Sequence, residues 1–284
     1  MEISLKNFKI LDCIHGKMTF LGSDKVIGIC LSNYGEWSEG ENIIMSQFIK
    51  EGDTVIDIGA NIGTTVLALS KKVSANGKVL AFEPQNNMSQ CLQTSLTLND
   101  IMNVEVYNMA VSNESGWANI NDKEFEKTGR YGEAGIAKEG TRIKTIKLDE
   151  LNLDKCNLVK IDVESHEWEV IKGGHKFLLK HKPVLYMEAK MNVEGTKKYL
   201  KWLFENGWRC YWHYSFWYRK NNYKKNNDTS ILGDVGVGVG DMNIVAIPNE
   251  MNQPNNLLEL QDYNEEWNQK ELKEFYKKND LQMI

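Results

Sequence analysis

Residues 54–63 read TVIDIGANIG, and this stretch is the strongest indication of the fold class. Its first half is a short, apolar, β-branched run, which is typical of a buried strand. The run breaks into a loop with Gly59 and Gly63, and a helix is predicted at 64–72. Gly59 permits a tight turn, Gly63 lets the helix pack close to the sheet, and the small Ala60 leaves room for a ligand against the backbone. The stretch therefore predicts the first strand–loop–helix unit of a ligand-binding α/β sheet.

Short apolar strands and helices continue to alternate along the rest of the chain. Parallel strands need helical crossovers, and predicted helices of roughly 10–15 residues supply them here. The pattern predicts an α/β fold, a Rossmann-like doubly wound sheet that follows an N-terminal strand and helix extension. The further strands are predicted at 78–83, 104–109, 158–162, 183–188, 208–217 and 243–247.

The chain has 284 residues, which is the size of one large domain. We predict an N-terminal extension and possible lid at 1–50, a core at 51–248 with an aromatic and Asn-rich insertion at 211–241, and a C-terminal helical tail at 249–284. Within these segments we predict short strands at 3–10 and 25–31, a long polar loop at 115–141, and a helix at 167–179 that Gly173 and Gly174 allow to bend.

Composition limits the possible partners. The net charge is −5, from 34 Lys and Arg against 39 Asp and Glu, so no nucleic-acid partner is predicted. No apolar run approaches the roughly 20 residues of a membrane span, and the N-terminus lacks the apolar region of a signal peptide. The five cysteines are widely spaced and contain no C-x-x-C pair, which indicates reduced thiols and the cytoplasm. The oligomeric state is left open.

Two acidic residues indicate which nucleotide cofactor such a sheet binds. Asp57 stands two residues before Gly59, and Glu83 ends the next strand, 26 residues after Asp57. An acid in the position of Glu83 binds ribose hydroxyls in nucleotide-binding sheets. The loop lacks the second glycine of G-x-G-x-x-G, and Asp57 repels a pyrophosphate but suits a cation or an amino group. The pattern therefore favours S-adenosylmethionine, which carries a sulfonium and an α-amino group, over NAD.

Several motifs resemble known methyltransferases. Residues 52–63, together with Phe82-Glu83-Pro84, resemble motifs one and two of class I methyltransferases. More narrowly, the chain resembles the FkbM family over about residues 30–248, in the segments 34–41 (YGEWSEGE), 110–112 (AVS), 160–167 (KIDVESHE), 211–213 (YWH) and 243–248 (NIVAIP). This family resemblance implies a seven-stranded sheet with the last strand antiparallel, and methyl transfer to oxygen, commonly on sugars or glycosylated products. Ser165 departs from the glycine usual in that family, and we expect its side chain to crowd or adjust the turn after strand four.

S-adenosylmethionine is accordingly the predicted cofactor. The glycine loop, the acid after strand two and the resembling segments supply the candidate residues that bind it. These residues are Tyr34, Glu36, Asp57, Gly59, Ala60, Asn61, Gly63, Glu83 and Ala110.

Charged residues at the fourth predicted strand supply the candidate catalytic groups. Ligands of open α/β sheets lie beyond the carboxyl ends of the strands, so Asp57 and Asp162 are expected to face one crevice. Charges on a buried strand are costly unless they are paired or used, so Lys160 and Asp162 either act on the substrate or form a structural ion pair. The acceptor alcohol must lose a proton, and the carboxylates also suit Mg²⁺, but no spacing is diagnostic and no metal is predicted. The candidate catalytic residues are Lys160, Asp162, Glu164, His166 and Glu188, of which His166 can instead begin a helix and point to solvent.

An aromatic stretch is the candidate substrate side. Aromatic faces suit the C–H faces of sugars, although at least half of these side chains are expected to fill the core. A basic run with Arg219 and Lys224 can meet the phosphates of a nucleotide-sugar or form a solvated loop. The aromatic residues are Trp202, Trp208, Tyr211, Trp212, Tyr214, Phe216, Trp217 and Tyr218.

The leading hypothesis is an S-adenosylmethionine-dependent O-methyltransferase that methylates a sugar hydroxyl, either in a nucleotide-sugar or in a glycan precursor. The alternatives are a methyltransferase for a non-sugar small molecule and an NAD-dependent oxidoreductase. A nucleic-acid methyltransferase is disfavoured by the missing N-P-P-[YFW] motif and the negative charge. A non-enzymatic binding module is disfavoured because it needs no acids at 162 and 188.

Overall fold

The computed structural model describes residues 7–121, 135–190, 194–235, 239–254, 256–265 and 269–278. The strands are β1 (Phe8–Cys13), β2 (Gly16–Leu21), β3 (Thr54–Ile58), β4 (Lys78–Phe82), β5 (Val104–Tyr107), β6 (Ala110–Val111), β7 (Gly116–Ile120), β8 (Ile136–Ala137), β9 (Thr141–Ile146), β10 (Leu158–Ile161), β11 (Val184–Glu188), β12 (Trp208–Phe216), β13 (Gly240–Pro248) and β14 (Leu258–Glu259). The helices are α1 (Ile27–Asn33), α2 (Glu39–Met45), α3 (Thr64–Val73), α4 (Asn86–Leu98), α5 (Glu167–Gly173), α6 (His175–His181), α7 (Glu194–Glu205) and α8 (Gln269–Lys278).

The central sheet has the strand order β14-β12-β13-β11-β10-β3-β4-β5. Strands β5, β4, β3, β10 and β11 are parallel neighbours, whereas β13 runs antiparallel to β11 and to β12. Every residue of β3 and of β10 is buried, as expected for central strands that are covered on both faces. The predicted Rossmann-like sheet with an antiparallel last strand is confirmed. The short edge strand β14 extends it beyond the seven predicted strands.

Strands β1 and β2 precede the central sheet along the chain and form an antiparallel hairpin. This hairpin packs on α4. The backbone N–H of Thr19 donates to Ser95 Oγ at 2.9 Å, which joins β2 to that helix. The strand predicted at 3–10 begins at Phe8, and residues 1–6 lie outside the described part of the chain.

The strand predicted at 25–31 is wrong, because this segment forms α1. The carboxylate of Asp24 accepts hydrogen bonds from the backbone N–H groups of Val26 at 2.8 Å and Gly28 at 3.0 Å. These two bonds tie the start of the segment into a helical turn, so local capping outweighs the β-branched pattern.

The long loop predicted at 115–141 is wrong at both of its ends. Strands β7, β8 and β9 join β6 in a second sheet of order β6-β9-β7-β8, while residues 122–134 lie outside the described residues. Ile120 and Ile143 are buried within this small sheet. Ile120 and Ile143 are the only buried residues of β7 and β9, so the segment needs few large apolar side chains, and its polar composition conceals the strands.

The helix predicted at 167–179 is divided into α5 and α6 at Gly173 and Gly174. A Cβ atom on Gly173 would lie 2.0 Å from the carbonyl oxygen of Ser112, so the close approach of α5 to the end of β6 requires glycine there. Strands β12 and β13 confirm the predicted closing pair. Within the described part of the chain, no helix combines the length and the hydropathy that a membrane crossing requires.

Candidate active site

A cleft of about 320 Å³ opens at the carboxyl ends of the parallel strands, beside the junction of β3 and β10. This is the switch point of the sheet, where the strand order reverses direction along the chain. The structure brings ten of the predicted residues to the lining of this cleft. They are Gly59, Ala60, Asn61, Glu83, Ala110, Lys160, Asp162, Glu164, His166 and Glu188.

The glycine loop is held between two neighbouring strands. The N–H groups of Gly59 and Ala60 both donate to the carbonyl oxygen of Phe82, at 2.9 and 3.0 Å. Gly59 has φ +89°, and a Cβ atom on it would lie 1.8 Å from the carbonyl oxygen of Asp162. Glycine is therefore required at position 59 by the chain that leaves β10, independently of any ligand.

Glu83 is a buried carboxylate that the loop fixes in place. Its Oε2 accepts from the N–H of Asn61 and its Oε1 accepts from the N–H of Gln85, both at 2.8 Å. Burial raises the pKa of Glu83 to about 7, against the effect of these two hydrogen bonds. Each carboxylate oxygen retains a further lone pair that can accept a ligand hydroxyl.

Asp57 lies beneath the cleft rather than on its lining. The residue is 0% exposed, and neither carboxylate oxygen has a hydrogen-bond partner among the described residues. The Lys160 ammonium is 3.6 Å from Asp57 and 3.0 Å from Asp162, so it bridges the acids of β3 and β10. Burial alone would lower the pKa of Lys160, but Asp162, Asp57 and Glu41 together raise it, and the lysine stays charged. The ion pair considered as a structural alternative for Lys160 and Asp162 is thus present, and Asp162 also reaches the cleft.

Three acids and a lysine cluster at the ends of β10 and β11. Asp162, Glu164 and Glu188 each have a carboxylate oxygen within 4.8 Å of the others, a spacing that can accommodate a divalent cation. The Lys190 ammonium contacts Glu164 and lies 3.3 Å from Glu188, so it already places positive charge beside two of them. Burial, followed by the charge of Asp162, raises the pKa of Glu188 to about 9. Glu188 is therefore protonated at neutral pH and can donate a hydrogen bond.

His166 lies in the cleft at the start of α5 rather than in solvent. Its Nε2 is 2.9 Å from Ser112 Oγ, and burial lowers the pKa of the imidazole, which keeps the ring neutral at pH 7. The preceding residues Glu164 and Ser165 have φ values of 53° and 72°. Position 165 thus adopts a left-handed backbone that favours glycine, which explains why serine is unusual there.

Besides Asp57, three predicted cofactor residues do not line the cleft. Gly63 has φ +92°, and its Cβ position lies 2.4 Å from Leu92, so it serves the packing of α4. The hydroxyl of Tyr34 donates to the carbonyl oxygen of Asp228 at 2.8 Å. Glu36 is 2% exposed and accepts from Arg219 Nε at 2.8 Å and Nη2 at 3.0 Å. Tyr34 and Glu36 therefore attach the N-terminal segment to the residues that follow β12.

The basic run after β12 contributes side chains to these contacts with the N-terminal segment. Arg219 is engaged with Glu36, and Lys224 Nζ donates to the carbonyl oxygen of Ser32 at 2.8 Å. Both side chains thus hold the N-terminal segment in place. They are poorly positioned to receive a substrate phosphate.

Trp37, Glu41, Asp241 and Asn243 line the cleft without having been singled out from the sequence, and they lie there with Trp217 of the aromatic stretch. The rings of Trp37 and Trp217 lie 5.0 Å apart at 37°, and Trp217 Nε1 donates to Asp241 at 2.6 Å. Glu41 accepts from Ser38 Oγ at 3.0 Å and from Asn243 Nδ2 at 3.4 Å. Because β13 is antiparallel, its first residues lie at the carboxyl edge of β11, with Asn243 opposite Glu188. This reversal is the signal that places Asp241 and Asn243 at the site.

Burial raises the pKa values of the two acids in this group. The pKa of Glu41 rises to about 8 and that of Asp241 to about 7.

Within the aromatic stretch, Trp217 alone among its described side chains lines the cleft. Trp208, Tyr211, Trp212 and Tyr214 are at most 1% exposed and fill the core, as expected for at least half of the stretch.

The sheet order and the acid-lined cleft define an α/β enzyme of the class I methyltransferase type. Residues 57–210, which are more than half of the chain, match the family model described as the Methyltransferase FkbM domain, and the chain belongs to this family. The predicted class, a methyltransferase with S-adenosylmethionine as its cofactor, is thereby confirmed, and the NAD-dependent oxidoreductase is set aside.

A curated relative is the hexuronic acid methyltransferase AglP of Haloferax volcanii, which is 34% identical over 168 residues, or 52% of this chain and 67% of that protein. Among solved structures, the FkbM methyltransferase of Methylobacillus flagellatus is 15% identical with a TM-score of 0.46, over 69% of this chain and 44% of the other. An S-adenosylmethionine-dependent O-methyltransferase of Thermotoga maritima is 16% identical with a TM-score of 0.48, over 87% of this chain and 79% of the other.

Proposed function

We propose that this protein transfers the methyl group of S-adenosylmethionine to a hydroxyl group of a sugar. The observation that carries the proposal is that the glycine loop with Glu83 and the acids Asp162 and Glu188 line the same cleft as the aromatic pair Trp37 and Trp217. The relative AglP, whose name specifies a hexuronic acid, supports a sugar as the acceptor. The acceptor in this proposal is a small sugar or a glycan precursor, with or without a nucleotide.

The described residues fit the cofactor. Glu83 is buried and fixed by two backbone N–H groups, which suits it to hold ribose hydroxyls. The buried oxygens of Asp57, which have no hydrogen-bond partner among the described residues, add negative charge beneath the place for a cationic ligand. Ala60 and Asn61 would border the cofactor along the backbone of the loop. When bound, S-adenosylmethionine supplies a methyl group on a positively charged sulfur.

The residues of the chain orient the acceptor and remove its proton. The Asp162 side chain is 41% exposed and is held by the Lys160 ammonium, so one end of it faces the cleft in a fixed orientation. We assign Asp162 as the group that accepts the hydroxyl proton, with the neutral His166 as the competing base. Glu188, protonated at neutral pH, would donate a hydrogen bond that orients the sugar. The proposal includes no metal ion, because the Lys190 ammonium already places positive charge beside Glu164 and Glu188.

The cytoplasm remains the proposed compartment. All five cysteines are buried free thiols, which suits a reducing environment.

Calorimetry with S-adenosylmethionine tests the cofactor half of the proposal. Glu83→Ala removes the acceptor of the ribose hydroxyls and is expected to weaken binding by about 1–3 kcal/mol, the range for hydrogen bonds to a charged group. The matched control Glu205→Ala removes an exposed acid of α7 and should leave binding unchanged. Tight binding of NAD by the unmodified chain, with no heat from S-adenosylmethionine, would overturn the proposal.

A further inference from the structure

The half of the cleft next to β13 carries groups that the proton transfer does not use. Trp37 and Trp217 form a tilted pair of rings, and both line the cleft. Asp241 lies beside them as the acceptor of the Trp217 N–H, and Glu41 and Asn243 complete the wall. The arrangement combines an aromatic face with acids that retain free lone pairs, which are the two features that bind a sugar ring and its hydroxyls.

The described lining of the cleft as a whole is rich in acids and offers no unpaired cation. Among the described residues that line it, seven are Asp or Glu, two are Lys and none is Arg. The two lysines already contact acids, Lys160 with Asp57 and Asp162, and Lys190 with Glu164. Their charge is therefore compensated before a substrate arrives.

Glu41 and Asp241 form no such ion pair among the described residues, although the charge of Lys160 acts on both from a greater distance. Their hydrogen-bond donors are hydroxyl, amide and indole groups. Such acids accept hydrogen bonds from uncharged hydroxyls. A carboxylate on a substrate would find no unpaired cation in the described lining, and it would meet like charge wherever these acids are ionised, whereas carboxylates are usually recognised by arginine, which offers two parallel donors.

On the basis of the proposed function, we propose that Trp37, Trp217, Glu41, Asp241 and Asn243 form the acceptor subsite, and that it selects an uncharged sugar ring against a hexuronate. The specificity of this chain then differs from that named for AglP. The subsite is the part of the same cleft next to β13, and it determines which sugar is methylated rather than how the methyl group is transferred.

Matched pairs of sugars test the proposed selectivity. Methyl glucoside with methyl glucuronide, and methyl galactoside with methyl galacturonide, differ only in the charged group. With the demethylated cofactor product bound, we expect the uncharged member of a pair to bind about 10²-fold more tightly than its uronide, as judged by tryptophan fluorescence and calorimetry. Methyl transfer from S-adenosylmethionine should show the same preference.

Variants assign the preference to the subsite. Trp217→Ala is expected to weaken sugar binding about tenfold or more through loss of the stacking face, while S-adenosylmethionine binding is retained. The control Trp117→Ala removes a 58% exposed tryptophan of β7 and should change neither affinity. The pKa of Asp241 is raised to about 7, so at about pH 8.5 its side chain is ionised. At that pH Asp241→Asn removes one negative charge and should narrow the preference against the uronide.

Each result leads to one conclusion. Equal or better use of the uronides overturns the subsite's selectivity and leaves the proposed function standing. Failure of every sugar to bind or accept methyl, with S-adenosylmethionine still bound, overturns both. Loss of sugar binding in Trp117→Ala but not in Trp217→Ala would place the acceptor elsewhere.

Discussion

At the scale of single residues, Asp162 combines two roles. Its backbone carbonyl limits position 59 to glycine, and its side chain takes the charge of Lys160 while facing the cleft. Asp162→Asn keeps the shape and removes the charge, and we expect the rate of methyl transfer to fall by roughly 10²–10⁴, the range for positioned acid–base groups. The affinity for S-adenosylmethionine should change far less. Steady-state rates and calorimetry on the same variant measure the two effects.

His166→Ala is the paired variant for that prediction. Its imidazole is held by Ser112, and its neutral state at pH 7 makes it a competent base. Normal turnover by Asp162→Asn together with an inactive His166→Ala would transfer the role of base to His166. Full activity in both variants would contradict a catalytic role for the chain after β10.

Residue patterns located much of the cleft, although some candidate cofactor residues do not line it. Strand order makes the positions of Glu83 and Asp162 predictable, because they follow β4 and β10, the two parallel strands that flank β3 and end at the same edge of the sheet. Tyr34 and Glu36 were candidates from resemblance, but their polar atoms are satisfied by Asp228 and Arg219. Those partners lie more than 180 positions away along the chain, so no local pattern reveals the pairing.

At the scale of elements, the approach of the β3 loop to the end of β10 determines what position 59 tolerates. Any Cβ atom there overlaps the Asp162 carbonyl, so a larger residue at position 59 is expected to destabilise the fold as well as the cofactor site. Gly59→Ala is expected to lower the free energy of unfolding by about 3 kcal/mol or more, as large changes arise from steric overlap in packed regions. Urea denaturation of the unliganded chain measures this.

Gly52→Ala is the matched control for that measurement. Gly52 has a similar φ of +81°, but nothing lies within 4 Å of its Cβ position. It should lose only the roughly 1–2 kcal/mol of a left-handed backbone. Equal losses in the two variants would show that the overlap relaxes and that the loop is not fixed by β10.

Strands and helices with a strong local sequence pattern were predictable, whereas those that depend on contacts with distant parts of the chain were not. The central strands β3 and β10 are short runs rich in Val, Ile and Leu with one charged residue each, which identifies them from the sequence. Strand β9 buries only Ile143, so its pairing with β6 and β7 leaves little trace in composition. Helix α1 depends on hydrogen bonds from a single preceding acid, which a β-branched pattern conceals.

At the scale of the whole molecule, buried acids make stability depend on pH. Burial raises the pKa values of Glu41 to about 8, Asp241 to about 7 and Glu188 to about 9, all above their values in the unfolded chain. The native state binds these protons more tightly, so the associated stability is present below about pH 4 and is lost as the pH rises through the folded values. Buried His213, whose pKa falls to about 3, opposes this trend only below about pH 6.5.

The thermal midpoint is therefore expected to fall between pH 6.5 and pH 8.5. Glu41→Gln removes one of the responsible groups, so its midpoint should fall less over the same interval. Glu205→Gln, at an exposed position, should follow the unmodified chain. Calorimetric melting of the three proteins measures the slopes, and a midpoint that rises towards pH 8.5 would contradict the burial of these acids.

The central claim is tested most directly by following the methyl group itself. The chain is incubated with S-adenosylmethionine that carries an isotopic label in its methyl group, together with a panel of neutral sugars and hexuronates, and the products are analysed by mass spectrometry and NMR. We expect a labelled methyl group on a sugar oxygen, in a one-to-one ratio with the demethylated cofactor, and loss of this product in Asp162→Asn. Label that reaches no sugar, although S-adenosylmethionine binds, or that appears on a non-sugar acceptor, would contradict it.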